Sequence, residues 1–434
     1  MNLTVREPLG LKIYRTVSRA GAPVASFALK RRMKAGKEDP ARIGERMGRA
    51  GRERPQGPLV WIHGASVGES LSVIPLVKRL SQTHPACSFL ITTGTVTSAK
   101  LMETRLPPRA FHQFIPLDHP DYVETFLNHW KPDAAIFVES EFWPNLVLGA
   151  RAKTRFMALV NGRVSPRSYE DWKRQPNAIR YLLASFDAII AQDPQNAARL
   201  STLSGRKVET FGNLKYAAPA LPGDEGALAA LKTQIGPRPV WLAASTHPGE
   251  EDAILSAGKL LKAEFPHLLT IIAPRHPARG KEIADICAGA GLKHARRAVS
   301  EPIDCDTDVY IADTLGELGV FYRLCDVTFV GGSLVEKGGH NPLEPARLGA
   351  AILHGPHIFN FVETYTEMRR TGGAALARND REIASAVRRL FADQKTRSAM
   401  TGAAQKAAED GAERILGDVC ATLAPALEKS VKAP

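Results

Sequence analysis

From residue 58 onward, short apolar runs alternate with stretches of helical periodicity. "LVWIHG" is followed by a helical pattern over 70–80, and "CSFLITTG" by "TSAKLMETRL". "AAIFVES" precedes "WPNLVLGARA", then come "RFMALVNGR" and "DAIIAQD" before "PQNAARLSTLS", and "KVETFGN" closes the half. Unbroken apolar runs fit strands buried on both faces, and helices between them predict a mostly parallel sheet. Residues 217–239, "AAPALPGDEGALAALKTQIGPRP", turn to Pro, Gly and Ala and read as a linker. The alternation then restarts with "VWLAAST", "LLTIIAPRH", "DVYIADT", "DVTFVGGS" and "AAILHGP", and residues 381–427 are helical in pattern without strands. The predicted class is α/β, with two Rossmann-like doubly wound domains over 58–216 and 240–434, preceded by an arm over 1–57. Two such domains place a cleft between the carboxyl ends of their strands, where ligands bind.

Composition adds little to this picture, because 44% hydrophobic and 24% charged residues are ordinary for a globular protein. Charge adds more. The net charge is +12, yet residues through Leu59 carry fourteen Lys and Arg against five Asp and Glu, so nine of the twelve belong to the arm. There Lys12, Arg15 and Arg19 share one helical stripe, and Ile13, Val17, Ala20 and Val24 lie roughly opposite, before "KRRMK". The uncharged run over 20–29 is half of the ~20 residues that span a bilayer, which predicts an arm lying on an anionic membrane surface. The other reading is a solvated helix packed on the protein's own domain. No aromatic-basic interleaving marks nucleic-acid binding, so no nucleic-acid partner is expected. The five cysteines are far apart without C-x-x-C, which points to a reduced compartment and against a cysteine metal site.

"HGASVGES" resembles a phosphate loop but is one residue short of the P-loop spacing, with Glu69 in the lysine position. The potential at a helix mouth favours the ionised carboxylate, so Glu69 is either a base or a partner for the helix dipole. In the second half, Ser245 and Thr246 lie between a strand and a helix start that attracts phosphate, unless either simply caps the helix. Arg275 and His276, between two prolines, form a strand-end grip for an anion. Gly331-Gly332 and Gly338-Gly339 allow close backbone approach. Asn341 and Pro342 start a helix whose Glu344 faces a ribose. "DCDTD" (Asp304, Asp306, Asp308) carries a D-x-D spacing, but it precedes its strand at the amino end and reads as a solvated loop.

Taken in order, "HGASVGES", "ESEFWPN", "NGRVSPRS", "GNLKY", "APRHP", "TLGELG" and "GGSLVEKGGHNPLEP" resemble the 3-deoxy-D-manno-octulosonic acid (Kdo) transferases of lipopolysaccharide assembly, over about residues 58–356. The resemblance implies the GT-B fold and inverting transfer of Kdo from CMP-Kdo to a hydroxyl of the lipid A precursor (lipid IVA). No metal or cofactor is expected, because cationic groups and helix ends already serve the phosphate. It implies Glu69 as general base, with Glu139 and Lys215 stabilising the transition state. It implies CMP-Kdo contacts at Pro274, Arg275, His276, Gly316, Glu317, Leu318, Asn341, Pro342, Leu343 and Glu344, beside Ser245, Thr246, Gly338 and Gly339. Ser66, Gly68, Glu141, Arg163, Ser165 and Ser168 are the acceptor-side candidates. Attachment through the arm at the cytoplasmic face of the inner membrane is expected; the arm is more charged and less apolar than the family's membrane anchor, which leaves both a span and a surface-lying helix open. The competing readings are another GT-B enzyme, a UDP-sugar transferase or epimerase, and a non-catalytic membrane-binding module.

Overall fold

The computed structural model describes residues 6–432. Fourteen strands among them form two parallel sheets of seven. The first sheet holds β1 (Leu59–His63), β2 (Ser88–Thr93), β3 (Ala110–Phe114), β4 (Ala134–Val138), β5 (Phe156–Gly162), β6 (Ala188–Ala191) and β7 (Glu209–Thr210). The second holds β8 (Val240–Thr246), β9 (Leu269–Pro274), β10 (His294–Arg296), β11 (Val309–Ile311), β12 (Val327–Val330), β13 (Ala351–His354) and β14 (Ala374–Leu376). The orders are β3-β2-β1-β4-β5-β6-β7 and β10-β11-β9-β8-β12-β13-β14. In each, the direction of winding reverses once, between β1 and β4 and between β8 and β12. Such a reversal sends the following helices to opposite faces and opens a crevice at the strand ends.

Both faces of each sheet are buried, as the unbroken apolar runs predict. In β1, Leu59 and Trp61 enter one core with Phe126, Trp130 and Phe137, and Val60 and Ile62 enter the other with Val77 and Phe89. Trp61 packs on Phe126 and Phe137 at centroid distances of 5.0 and 5.1 Å. In the second sheet, Trp241 and Phe329 face one core, and Leu242, Ile271 and Phe321 the other.

The domain boundaries differ from the expected ones in three places. The compact units are residues up to Pro219 together with those from Gly411 on, and Ala220–Asp410. The terminal helix Gln394–Lys432 thus ends in the first unit, where Ile415, Leu416, Val419, Leu423 and Leu427 complete the core under β1. The expected linker contains the helix Glu225–Ile235, whose Leu228, Leu231 and Ile235 are core residues of the second unit. Nor is the arm separate, although its first five residues lie outside the described ones. Glu45 accepts from Phe114 N (2.7 Å) and Arg46 donates to the Ile115 carbonyl (2.5 Å), so the arm covers the open edge of β3. Farther out, the helices Leu9–Ala20 and Ala22–Lys34 part at Gly21. Leu11 is buried, Tyr14 donates to Asp118 (2.9 Å) and Arg19 pairs with Asp121 (3.0 Å), which docks the first helix on its own unit.

His354 ends β13 fully buried, its Nδ1 2.7 Å from the Gly355 carbonyl oxygen and its ring 4.4 Å from that of Tyr365. Burial pushes its pKa down to about 4. An unfolded histidine protonates near 6.5, so between those values the unfolded chain binds the extra proton. Stability is therefore lost as pH falls through that window, by about 3 kcal/mol at full effect for one such group. Asp118, Glu250 and Glu344, raised by burial, act in the opposite sense. Replacing His354 with Asn is expected to lower the slope of unfolding free energy between pH 6 and 4 by about one proton, measured by urea titration at each pH.

Candidate functional site

In the first unit the site grows from the ends of β1 and β4, on either side of the winding reversal. After His63 the chain turns through Gly64, and Ser66 caps the helix Val67–Thr83. A β-carbon at Gly64 would stand 3.3 Å from that of Glu69, so glycine is what lets the Glu69 side chain fold back over the turn. Glu69 accepts from Ala65 N and from the Ser66 hydroxyl, both at 2.7 Å, while Ser66 Oγ accepts from Glu69 N at 3.3 Å. This is a variant of the capping box, which the spacing S-x-x-E also encodes. The helix-complementing role of Glu69 is therefore realised, and Ser66 spends its hydroxyl on it. A carboxylate has about four acceptor positions, so two contacts leave it able to take a further proton.

Glu139 and Lys215 are brought to the same place. Lys215 Nζ lies 2.5 Å from Glu139 Oε1. A β-carbon on Gly68 would be 3.8 Å from Lys215 Cε, which sets the Glu69 turn beside the pair. Glu139 is only 4% exposed and sits at φ 61°, a left-handed conformation that is rare outside glycine. It does not start the following helix. Asp118 does so instead, accepting from Asn145 N (3.3 Å) and Leu146 N (2.7 Å). Nor is Lys215 simply solvated.

Glu141 accepts from His63 Nε2 (3.2 Å) and Trp143 Nε1 (2.7 Å). Burial works to raise its pKa, but the His63 hydrogen bond and charge, with the Trp143 N–H, hold the carboxyl below its usual range. Arg163 is exposed beyond β5. Ser165 and Ser168 bond to each other at the start of the helix Pro166–Lys173, Oγ to Oγ at 2.9 Å. Two residues that the motif reading passed over belong here. Asn161, buried at φ 53°, accepts from Leu214 N at 2.9 Å and so seats the Lys215 segment; His63 links the β1 and β4 loops through Glu141. Each opens or lies within a motif already singled out, and that was the available signal.

In the second unit, Ser245, Pro274, Arg275, Gly316 and Leu318 line one open cavity of about 120 Å³ at the ends of β8, β9 and β11. Ser245 is left-handed at φ 58°. Glu317 turns away to Arg297 (2.6 Å) and Thr314, and the Arg297 hydrogen bond holds it below the usual carboxylate range. The phosphate reading after β8 is not what the geometry offers. Thr246 is fully buried with its hydroxyl on Glu251 (2.9 Å). The N–H groups of His247, Gly332, Ser333 and Leu334 all donate to Glu250, at 2.6–3.0 Å. The protein's own carboxylate fills that nest, and the Glu-Glu pair in "HPGEED" was the warning.

Gly338 and Gly339 are left-handed, but a β-carbon on Gly338 would strike Asn360 and Phe359 at 2.5 Å, so packing already requires it. Asn341 accepts from Leu343 N (3.0 Å) just ahead of the short helix Leu343–Arg347, which starts one residue later than expected, with Pro342 rather than Asn341 at the N-cap; Pro342 and Leu343 are buried. Burial raises the pKa of Glu344, and the charge of Arg275 works against that rise. His276 meets a pair that motif reading missed. His247 and His340 stack at 5.1 Å with their Nε2 atoms 2.9 Å apart, and His276 stands edge-on to His247 at 6.1 Å. Burial first, then the charge of Arg275, pushes His340 down to about 4, and His247 is lowered as well. In the D-x-D loop Asp306 pairs with Lys293 and Asp308 with Lys262. Among the described residues, no three His, Cys, Asp or Glu are grouped to hold a metal.

Residues 41–218 match the family model described as 3-Deoxy-D-manno-octulosonic-acid transferase. The chain is 36% identical to the 3-deoxy-D-manno-octulosonic acid transferase of Rickettsia bellii, over 80% of this chain and 83% of that one. It is 33% identical to the enzyme of the same name from Haemophilus influenzae, over 90% and 92%. The solved structure of a glycosyltransferase from Rickettsia africae superposes with a TM-score of 0.59 at 11% identity, over 88% of this chain and all of that one, a likeness of fold.

Lys215→Met is expected to destabilise the protein by about 2 kcal/mol, below the usual cost of breaking a buried pair because Lys215 is partly solvated. Adding Glu139→Gln is expected to recover most of that loss, both read from urea unfolding. Additive losses would show that the two side chains do not interact.

Proposed function

This chain belongs to the 3-deoxy-D-manno-octulosonic acid (Kdo) transferase family of glycosyltransferases, and we propose that it moves Kdo from CMP-Kdo to a hydroxyl of the lipid A precursor with inversion at the anomeric carbon. The observation that carries the catalytic assignment is the convergence of Glu69, Glu139 and Lys215 beside the Gly68 turn. Glu69 takes the proton of the acceptor hydroxyl as its oxygen attacks the anomeric carbon. The bond to the phosphate oxygen breaks, and CMP leaves as an anion that needs no strong acid. Cationic charge at the reacting centre falls to Glu139, and Lys215 balances the carboxylates of enzyme and sugar. Arg275, with the cavity beside Ser245 and Gly316, receives the nucleotide. A lysine would serve a phosphate bound at the Glu69 turn; the proposed phosphate site belongs to the second unit, so this turn carries a base.

Membrane attachment at the cytoplasmic face of the inner membrane is part of the same proposal. Leu9, Ile13, Val17, Val24 and Phe27 are each more than half exposed on the arm, among Lys12, Lys30, Arg31 and Lys34. No helix among the described residues is long and apolar enough to cross a membrane. An apolar row flanked by cations suits a helix lying in the headgroup layer of anionic lipid.

Incubation with CMP-Kdo and a tetra-acylated lipid A precursor is expected to add Kdo, seen as a mass ladder on the lipid, undiminished by excess EDTA. Abolition by EDTA with recovery in magnesium would remove the metal-independent scheme. Glu69→Gln is expected to keep the fold within about 1 kcal/mol and to slow transfer ~10²–10⁴-fold. CMP rather than UDP is expected to raise the melting temperature; the reverse would favour a UDP-sugar enzyme. Replacing Ile13, Val17 and Phe27 together by Glu is expected to abolish flotation with phosphatidylglycerol vesicles while activity on detergent-dispersed acceptor survives. Unchanged flotation would exclude the arm as the anchor.

A further inference from the structure

Trp143 is a group that the reaction scheme leaves unused. It immediately precedes the helix Pro144–Lys153, in the loop after β4, three residues beyond Ser140 and four beyond Glu139. Its neighbour Phe142 is buried and Trp61, Trp130 and Trp241 are fully so, whereas Trp143 is 51% exposed. Leaving half of so large an apolar group in water forgoes stabilising burial. The side chain is nevertheless not loose. Its only polar atom, Nε1, donates to Glu141 Oε2 at 2.7 Å, and that same oxygen accepts from the buried His63. With the N–H engaged, most of what the indole shows to solvent is ring carbon. His63 in turn leads directly into Gly64, over which Glu69 folds. One hydrogen-bonded rim therefore holds an oriented aromatic ring next to the Glu139 and Glu69 loops, all within the first unit.

We propose that Trp143 is the platform on which a pyranose of the acceptor's glucosamine disaccharide stacks while its hydroxyl is deprotonated. A pyranose presents C–H groups on one face, slightly positive, and these complement the negative face of an aromatic ring. A tryptophan fixed at its edge offers that face at little further cost in side-chain freedom. This role rests on the acceptor reading given above and adds a residue that sets acceptor affinity. The carboxylates of Glu69 and Glu139 handle charge and protons. Trp143 handles orientation.

The test varies lipid acceptor at saturating CMP-Kdo for Trp143→Ala and Trp143→Phe. Trp143→Ala is expected to raise the acceptor KM about three- to tenfold, with kcat, the CMP-Kdo KM and the melting temperature nearly unchanged. Trp143→Phe is expected to recover most of the loss, because a ring remains although the Glu141 contact does not. An unchanged acceptor KM, a loss confined to kcat or to the donor KM, or a Phe variant as poor as the Ala variant overturns the proposal. In parallel, the acyl-free glucosamine disaccharide is titrated while the emission of Trp143 is followed, isolated as wild type minus Trp143→Phe. A change is expected, and its absence overturns the platform whether or not Kdo is transferred. A wild type that stacks the disaccharide yet transfers no Kdo instead overturns the assigned reaction.

Discussion

Parallel strands have one constraint in common: all of them finish on the same edge. Every candidate group in this protein is placed by that constraint and by the single reversal of winding in each sheet. Glu69 and Glu139 follow β1 and β4, the two strands at the first reversal; at the second, Ser245 lies in the last two residues of β8 and the Gly331–Gly332 turn follows β12. Helices leaving such a pair diverge to opposite faces, so the space above the strand ends is not covered by either. The strand ends also hold three of the six non-glycine residues with left-handed φ among the described residues. Glu139, Asn161 and Ser245 all adopt left-handed conformations at strand ends without being glycine.

Strain of that kind, about 1–3 kcal/mol each, persists only where the surroundings fix it. Around Glu139 the fixing contacts can be named. Its N–H donates to Val160 O (3.1 Å), its carbonyl accepts from Arg163 N (3.3 Å), and the Ser140 hydroxyl donates to Arg163 O (2.6 Å). The carboxylate is thereby aimed at Lys215. The Lys215 segment, in turn, is held by the buried Asn161. Two loops distant in sequence are made rigid by hydrogen bonds to each other, which is the form of preorganisation that transition-state stabilisation needs.

Much of this was legible in the chain. The buried strands announced themselves as apolar runs, and Glu69 stood out because it broke a phosphate-loop pattern. What escaped had physical reasons. β3, β10 and β14 are short or lie at an edge, where one polar face or three residues leave no apolar run to recognise. The helix Glu225–Ile235 hid between prolines and glycines that suggested a linker. The Gly331–Gly332 turn after β12 looked free for a ligand's close approach because sequence does not show that Glu250, far away in the chain, already takes the N–H groups of Gly332, Ser333 and Leu334. His247 and His340 are ninety-three residues apart, and only folding stacks them.

The terminal helix carries a consequence for biosynthesis. Ile415, Leu416, Val419, Leu423 and Leu427 belong to the core beneath the strand translated first, at residues 59–63. Domains ordinarily fold in the order in which they emerge from the ribosome. Here the amino-terminal module must wait, with one apolar flank uncovered, until nearly the whole polypeptide has been synthesised. Loss of the final turns through a premature stop codon would injure the half of the molecule made earliest.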